Sequence, residues 1–105
     1  MIYLSGPITN NPDFRTSFAE AEKLCREMFN TNDIFNPSVL RLHKSAGWLD
    51  YMLMDLYELR MSETVIFLEG WEQSKGCMVE KICAEQTGKN IFYIKNGGIY
   101  ADVRK

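Results

Sequence analysis

Short apolar runs alternate along this chain with stretches whose apolar residues recur every three or four positions, the signatures of buried strands and of one-sided helices. Ile2-Tyr3-Leu4 is the first run and predicts a strand, ended by Ser5-Gly6-Pro7. Ser5 to Pro12 carries glycine, two prolines and two asparagines, which is turn chemistry. Asp13 is placed to cap a helix in which Phe14, Phe18, Ala21, Cys25 and Met28 form one apolar face. Thr31 to Asp33 breaks that helix. Asp33-Ile34-Phe35-Asn36-Pro37 reads as a short second strand, stopped by a proline that cannot donate to a ladder. Ser38 to Gly47 fits either a helical turn, from Val39, Leu40 and Leu42, or an irregular flap.

A second long helix is expected from Trp48 to Arg60, with Leu49, Met52, Leu53, Leu56 and Leu59 buried and Tyr51 and Asp55 sharing another side. Thr64 to Leu68 reads as a buried strand, and Val79 to Gly88 as a third helix with Gly88 as its stop. Lys89-Asn90 is a turn, Ile91 to Ile94 a fourth strand, Asn96-Gly97-Gly98 another turn, and Ile99 to Val103 a weak strand or tail. Strands alternating with helices predict an α/β fold: one domain over 1–105, with a mainly parallel sheet of four to five strands in the order 2-1-3-4. Such a sheet changes direction between its first and third strands, so Ser5-Gly6-Pro7 and the Gly70 to Gly76 loop should flank one crevice.

That second loop, Glu69 to Glu80, looks built for something other than packing. A helix start gathers unpaired N–H groups and the positive end of the helix dipole, which attract anions. Gly76 lets backbone approach a ligand, and Ser74 can cap the helix or donate its hydroxyl. Glu80 lies where its carboxylate can point back toward the crevice, as nucleophile or general base; the competing reading is a solvated glutamate favoured by the dipole. Tyr3 can orient a carboxylate, or be a core aromatic with its hydroxyl at the surface. Asp55 faces either water or the site, and the pattern alone favours water. Trp71 in its loop can stack on a planar ligand or cover the core.

Charge and composition narrow the classes. The 105 residues are 46% hydrophobic and 25% charged with a net charge of −2, an ordinary globular balance without a basic stripe for duplex nucleic acid. No apolar run approaches the roughly 20 residues that span a bilayer, and Met1 leads straight into Ile2 without a basic leader. Three cysteines, Cys25, Cys77 and Cys83, have no metal spacing and suit the reducing cytoplasm as small buried groups. His43 is the lone histidine and reads as a surface residue. Neither a dinucleotide glycine fingerprint nor a phosphate loop is present, so no cofactor and no metal are expected.

Ile2 to Ile8, Phe35-Asn36-Pro37, Trp48 to Asp55 and Gly70 to Glu80 together resemble the small phage and bacterial domains related to nucleoside 2-deoxyribosyltransferase. The resemblance runs in order over nearly the whole chain. It implies a flavodoxin-like (Rossmann-like) three-layer domain in which a glutamate attacks the anomeric carbon of a deoxyribonucleoside or its 5′-monophosphate. Glu80 matches the nucleophile, Tyr3 the tyrosine that orients it, and Asp55 the acid that contacts sugar or assists protonation of the leaving base. Gly76 and Ala84 match small residues around the nucleophile, whereas Met78 replaces one. Ser74 stands where the transferases carry aspartate and where the 2′-deoxynucleoside 5′-monophosphate N-hydrolases carry a phosphate-binding serine. Ser5, Gly6, Pro7 and Lys75 would join it around a substrate phosphate, with Trp71 against the base. A homodimer or larger homo-oligomer is also implied, helped by exposed apolar residues near the middle helix. A non-catalytic nucleotide-binding module and an interaction domain with a vestigial crevice are the other classes open to this sequence.

Overall fold

In the computed structural model, which describes residues 1–103, five strands form one sheet: β1 (Ile2–Ser5), β2 (Ile34–Phe35), β3 (Thr64–Phe67), β4 (Asn90–Lys95) and β5 (Gly98–Ala101). Three helices connect them: α1 (Phe14–Phe29), α2 (Trp48–Arg60) and α3 (Lys75–Gln86). The strand order is β2-β1-β3-β4-β5, with only β4 and β5 antiparallel. This is the expected α/β arrangement, a flavodoxin-like three-layer fold, with β5 resolving the weak strand as a hairpin partner. Asn96 and Gly97 both have positive φ (51° and 76°), the geometry of the two-residue turn that suits hairpin twist.

Alternation along the strands builds two cores. Ile2, Leu4, Ile66 and Leu68 face α1, where Phe18, Ala21 and Cys25 are buried against them. Tyr3, Val65 and Phe67 face the other way and pack with Leu59 of α2, Ala84 of α3 and Ile91. Side chains one position apart on a strand point to opposite faces, so Tyr3 and Ser5 share the α2/α3 side.

Several local expectations are corrected. Asp13 makes no capping bond with its side chain, and Met28 is exposed. Phe29 instead takes the last apolar place of α1, its ring edge-on to Phe92 at 5.3 Å, because the larger aromatic gains more from burial. β2 is only two residues long because Asn36 leaves the ladder: its Oδ1 accepts from the Ser38 N–H and hydroxyl, starting a 3-10 turn over Pro37–Val39. On α2 the buried residues are Met52, Asp55 and Leu59, whereas Leu49 and Leu53 are exposed. α3 begins at Lys75, four residues before Val79, with Ser74 as its cap. Among the described residues no helix is long and apolar enough to cross a membrane.

Candidate active site

The carboxyl ends of β1 and β3 set the site. Past Phe67, the Leu68 N–H still bonds to the Ser5 carbonyl at 2.8 Å, so the two outgoing loops leave side by side. Gly70 then turns the chain with φ 86°, a conformation few side chains tolerate, into a short 3-10 turn over Trp71–Gln73. Ser74 ends that turn and starts α3 by accepting the Cys77 N–H at 3.2 Å. A turn and a half later the helix delivers Glu80 inward, under Tyr3 and Ser5.

Glu80 is 5% exposed. Its carboxylate accepts hydrogen bonds from the Tyr3 hydroxyl and, at 2.7 Å, from the Ser5 hydroxyl. Tyr3 and Ser5 are wholly buried, so these bonds lie in a low-dielectric floor where they are strong. Burial pushes the glutamate pKa up to about 7; the bonds from Tyr3 and Ser5 oppose the rise and the nearby Asp55 charge adds to it. Burial, then the Glu80 charge, keep the Tyr3 phenol well above its ordinary value, so it remains a donor.

Asp55 comes from α2, 8% exposed, against the expectation that it faces water. Burial raises its pKa to about 7, and its Oδ1 has no hydrogen-bond partner. Asp55 and Glu80 both line a cleft of about 1180 Å³. Two adjacent carboxyls with raised pKa values titrate as a pair and hold one proton between them near neutrality. Glu80 receives two donors that favour its ionised form, whereas Asp55 Oδ1 receives none. The shared proton therefore resides on Asp55.

The expected convergence of loops is present: Gly6 and Pro7 line the cleft on one side, Gly70, Ser74, Lys75 and Gly76 on the other. Gly76 sits where a Cβ would meet Met52 Sδ at 3.2 Å, with Trp48 Nε1 and Ser74 Oγ at 3.9 Å. Ser5 lies below the cleft and holds Glu80 rather than reaching toward a ligand. Trp71 is not on the cleft at all. It packs on Phe67 (5.2 Å between centroids) and Tyr93 (5.6 Å), with the Lys81 ammonium 5.2 Å from its ring.

The sequence reading missed the outer wall. Trp48 and Tyr51 of α2 line the cleft, as do Arg15 of α1 and Arg41 of the segment before α2. The Lys75 ammonium lies 4.9 Å from the Trp48 ring. Arg41 is held by its own segment, donating to the Ser38 carbonyl at 3.0 Å and the Leu40 carbonyl at 3.1 Å. The undecided stretch is thus an irregular flap that follows one 3-10 turn, and Ala46, Gly47 and Leu40 in it also face the cleft. His43 is an exposed residue bonded to Ser45, as its setting implied. Cys25 and Cys77 are buried and Cys83 half-buried. No group of three or more His, Cys, Asp or Glu among the described residues is arranged to hold a metal ion.

The site has no accompanying close relative to speak for it: no curated protein and no solved structure matches the chain. One family does match, over residues 1–93, and its description is Domain of unknown function (DUF4406). The chain belongs to that family.

Proposed function

We propose that this member of the family cleaves or transfers the N-glycosidic bond of a deoxyribonucleoside or its 5′-monophosphate, with Glu80 as nucleophile. The observation that carries the reading is the buried Glu80 carboxylate, held by Tyr3 and Ser5 at the floor of a ligand-sized cleft beside a second carboxyl. A glycosidic carbon that develops positive charge needs a carboxylate on one face and a proton for the departing group. Both are supplied by groups already described.

In the first step a Glu80 carboxylate oxygen bonds to the anomeric carbon as the bond to the base nitrogen breaks. The electron pair of that bond leaves with the base, which takes the Asp55 proton. The glycosyl ester is then opened by water, or by another base, and Glu80 is released as carboxylate while the proton lost by the acceptor returns to Asp55. Tyr3 and Ser5 aim the attacking oxygen and disperse the charge that returns to it. Arg15, Arg41 and Lys75 at the cleft supply positive charge for a phosphorylated substrate. Action as a homodimer or larger assembly belongs to the same reading.

The test is chromatographic detection of free base after incubation with deoxynucleosides and their 5′-monophosphates, with and without an acceptor base. Glu80→Gln should lower release by several orders of magnitude, the usual cost of removing a placed nucleophile. Release that survives in Glu80→Gln would falsify the nucleophile assignment. Binding without any base release would leave only a nucleotide-binding module.

A further inference from the structure

We infer that the outer face of α2 is the contact surface of a homodimer, with two copies meeting helix against helix about a two-fold axis near the middle of α2. This does not rest on the glycosidase reading. α2 is apolar on nearly every side. Its inner arc packs through Met52, Asp55 and Leu59, while Leu49, Leu53, Tyr57 and Met61 lie outward at 59% to 62% exposure. A helix that is hydrophobic all round is normally buried all round. Here one side meets water.

The outward residues are four apart without interruption, so they form one continuous ridge. Ridges of that spacing interdigitate in the commonest helix packing, crossing at about −50°. The occupant that fits is a second copy, because the ridge is self-complementary. Antiparallel pairing about the midpoint sets Leu49 against the partner's Met61 and Leu53 against the partner's Tyr57. The same operation brings Asp50, in the first turn, beside the partner's Arg60, in the last turn. Neither residue makes an ion pair within the described chain, and opposed helix dipoles favour the same arrangement.

The area is sufficient. Met54 flanks the ridge, and α3, which packs on α2, adds exposed Met78 and Ile82. These seven side chains present surface on the order of the ~800 Å² per partner of a standard interface, beyond the ~300–600 Å² of a typical monomer's largest apolar patch. The contact also bears on the cleft. The inner side of this helix carries Tyr51, Met52 and Asp55 into the cleft wall, so a partner on the outer side braces that wall.

The wild-type chain should have twice the monomer mass by sedimentation equilibrium at micromolar concentration. The L53E/Y57E variant should be monomeric with an unchanged far-UV spectrum, its dissociation constant raised by roughly 100-fold or more, as expected for two central contacts. Should that variant fail to fold, Leu49→Cys/Met61→Cys provides the second arm, since mild oxidation should link two chains covalently. A wild-type protein that stays monomeric throughout the micromolar range overturns the inference, and so does a folded L53E/Y57E variant that remains dimeric. Absence of base release would count against the chemistry alone, because the mass measurement does not depend on it.

Discussion

Tyr3 and Glu80 stand 77 positions apart in the chain, yet the phenol of the first strand donates its hydrogen bond to the carboxylate of the last helix. The bond exists because Tyr3 points from β1 toward the α2/α3 layer and α3 starts early enough to bring Glu80 under it. Tyr3→Phe keeps the ring that packs with Phe35 at 5.6 Å and removes only the donor. Base release should fall by roughly 10- to 100-fold, the worth of a hydrogen bond to a charged group. The Tyr3 bond opposes the rise in the Glu80 pKa, so the acidic limb of the pH–rate profile should move to higher pH. A rate loss with an unmoved limb would assign Tyr3 to packing.

Glu80 and Asp55 also tie stability to pH. Burial raises both pKa values to about 7 from 4.5 and 3.8 respectively. Between those limits the folded chain holds more protons than the unfolded chain, so stability declines as pH rises. The contribution is complete below about pH 4 and is lost as pH climbs through about 7. The melting temperature of the wild type should therefore fall across that interval, and Glu80→Gln, which cannot ionise, should flatten the fall while abolishing activity. Parallel melting curves for the two proteins across the interval would contradict buried, proton-holding carboxyls. Activity itself should peak near neutrality, where one proton is shared by the pair.

Much of this layout is legible in the sequence because strands and turns speak locally. Alternation along Ile2 to Ser5 and Thr64 to Phe67 predicts which side chains share a face, and strand order then brings the two loops together. Asp55 is harder for a physical reason: α2 has apolar residues around its whole circumference, so periodicity does not single out one buried arc. An acid in such a helix looks like its polar side. The start of α3 is hidden by Lys75-Gly76, a weak beginning for a helix, although Ser74 in the capping position marks it. Trp48, Arg15 and Arg41 reach the cleft only through the path of the flap and the packing of separate helices, which no local pattern encodes.

Gly6 is a position where one methyl group should matter. A Cβ there would stand 3.0 Å from both Leu68 Cβ and Cδ2 and 3.1 Å from Phe18 Cζ. Leu68 Cβ is fixed to the backbone and cannot swing away, so Gly6→Ala forces the β1 loop off the core. A loss of about 1–3 kcal/mol by chemical denaturation is expected, the usual cost of overpacking. Gly76→Ala makes the contrasting case. Its closest contact, at 3.2 Å, is the thioether of Met52, which adapts easily. The α3 helix gains up to about 1 kcal/mol from alanine over glycine, so stability should hold or rise.

The two tryptophans should separate stability from binding. Trp71 is half-buried against Phe67 and Tyr93 and lies off the cleft, so Trp71→Ala removes core packing. It should cost about 3 kcal/mol, the lower end of the range for large aromatics, and leave the KM of the surviving folded enzyme unchanged. Trp48 is 45% exposed and presents its ring to the cleft under the Lys75 ammonium. Trp48→Ala should change stability by well under ~1 kcal/mol, as surface substitutions do. Stacking of a base on an aromatic ring is worth about 1–3 kcal/mol, so the KM for a deoxynucleotide should rise by roughly 10-fold or more. Trp48→Phe, which keeps a planar surface, should restore most of the loss. If Trp71→Ala instead raises KM while Trp48→Ala does not, the base lies on the far side of the Gly70 to Gly76 loop, and the cleft bounded by α2 is not where substrate binds.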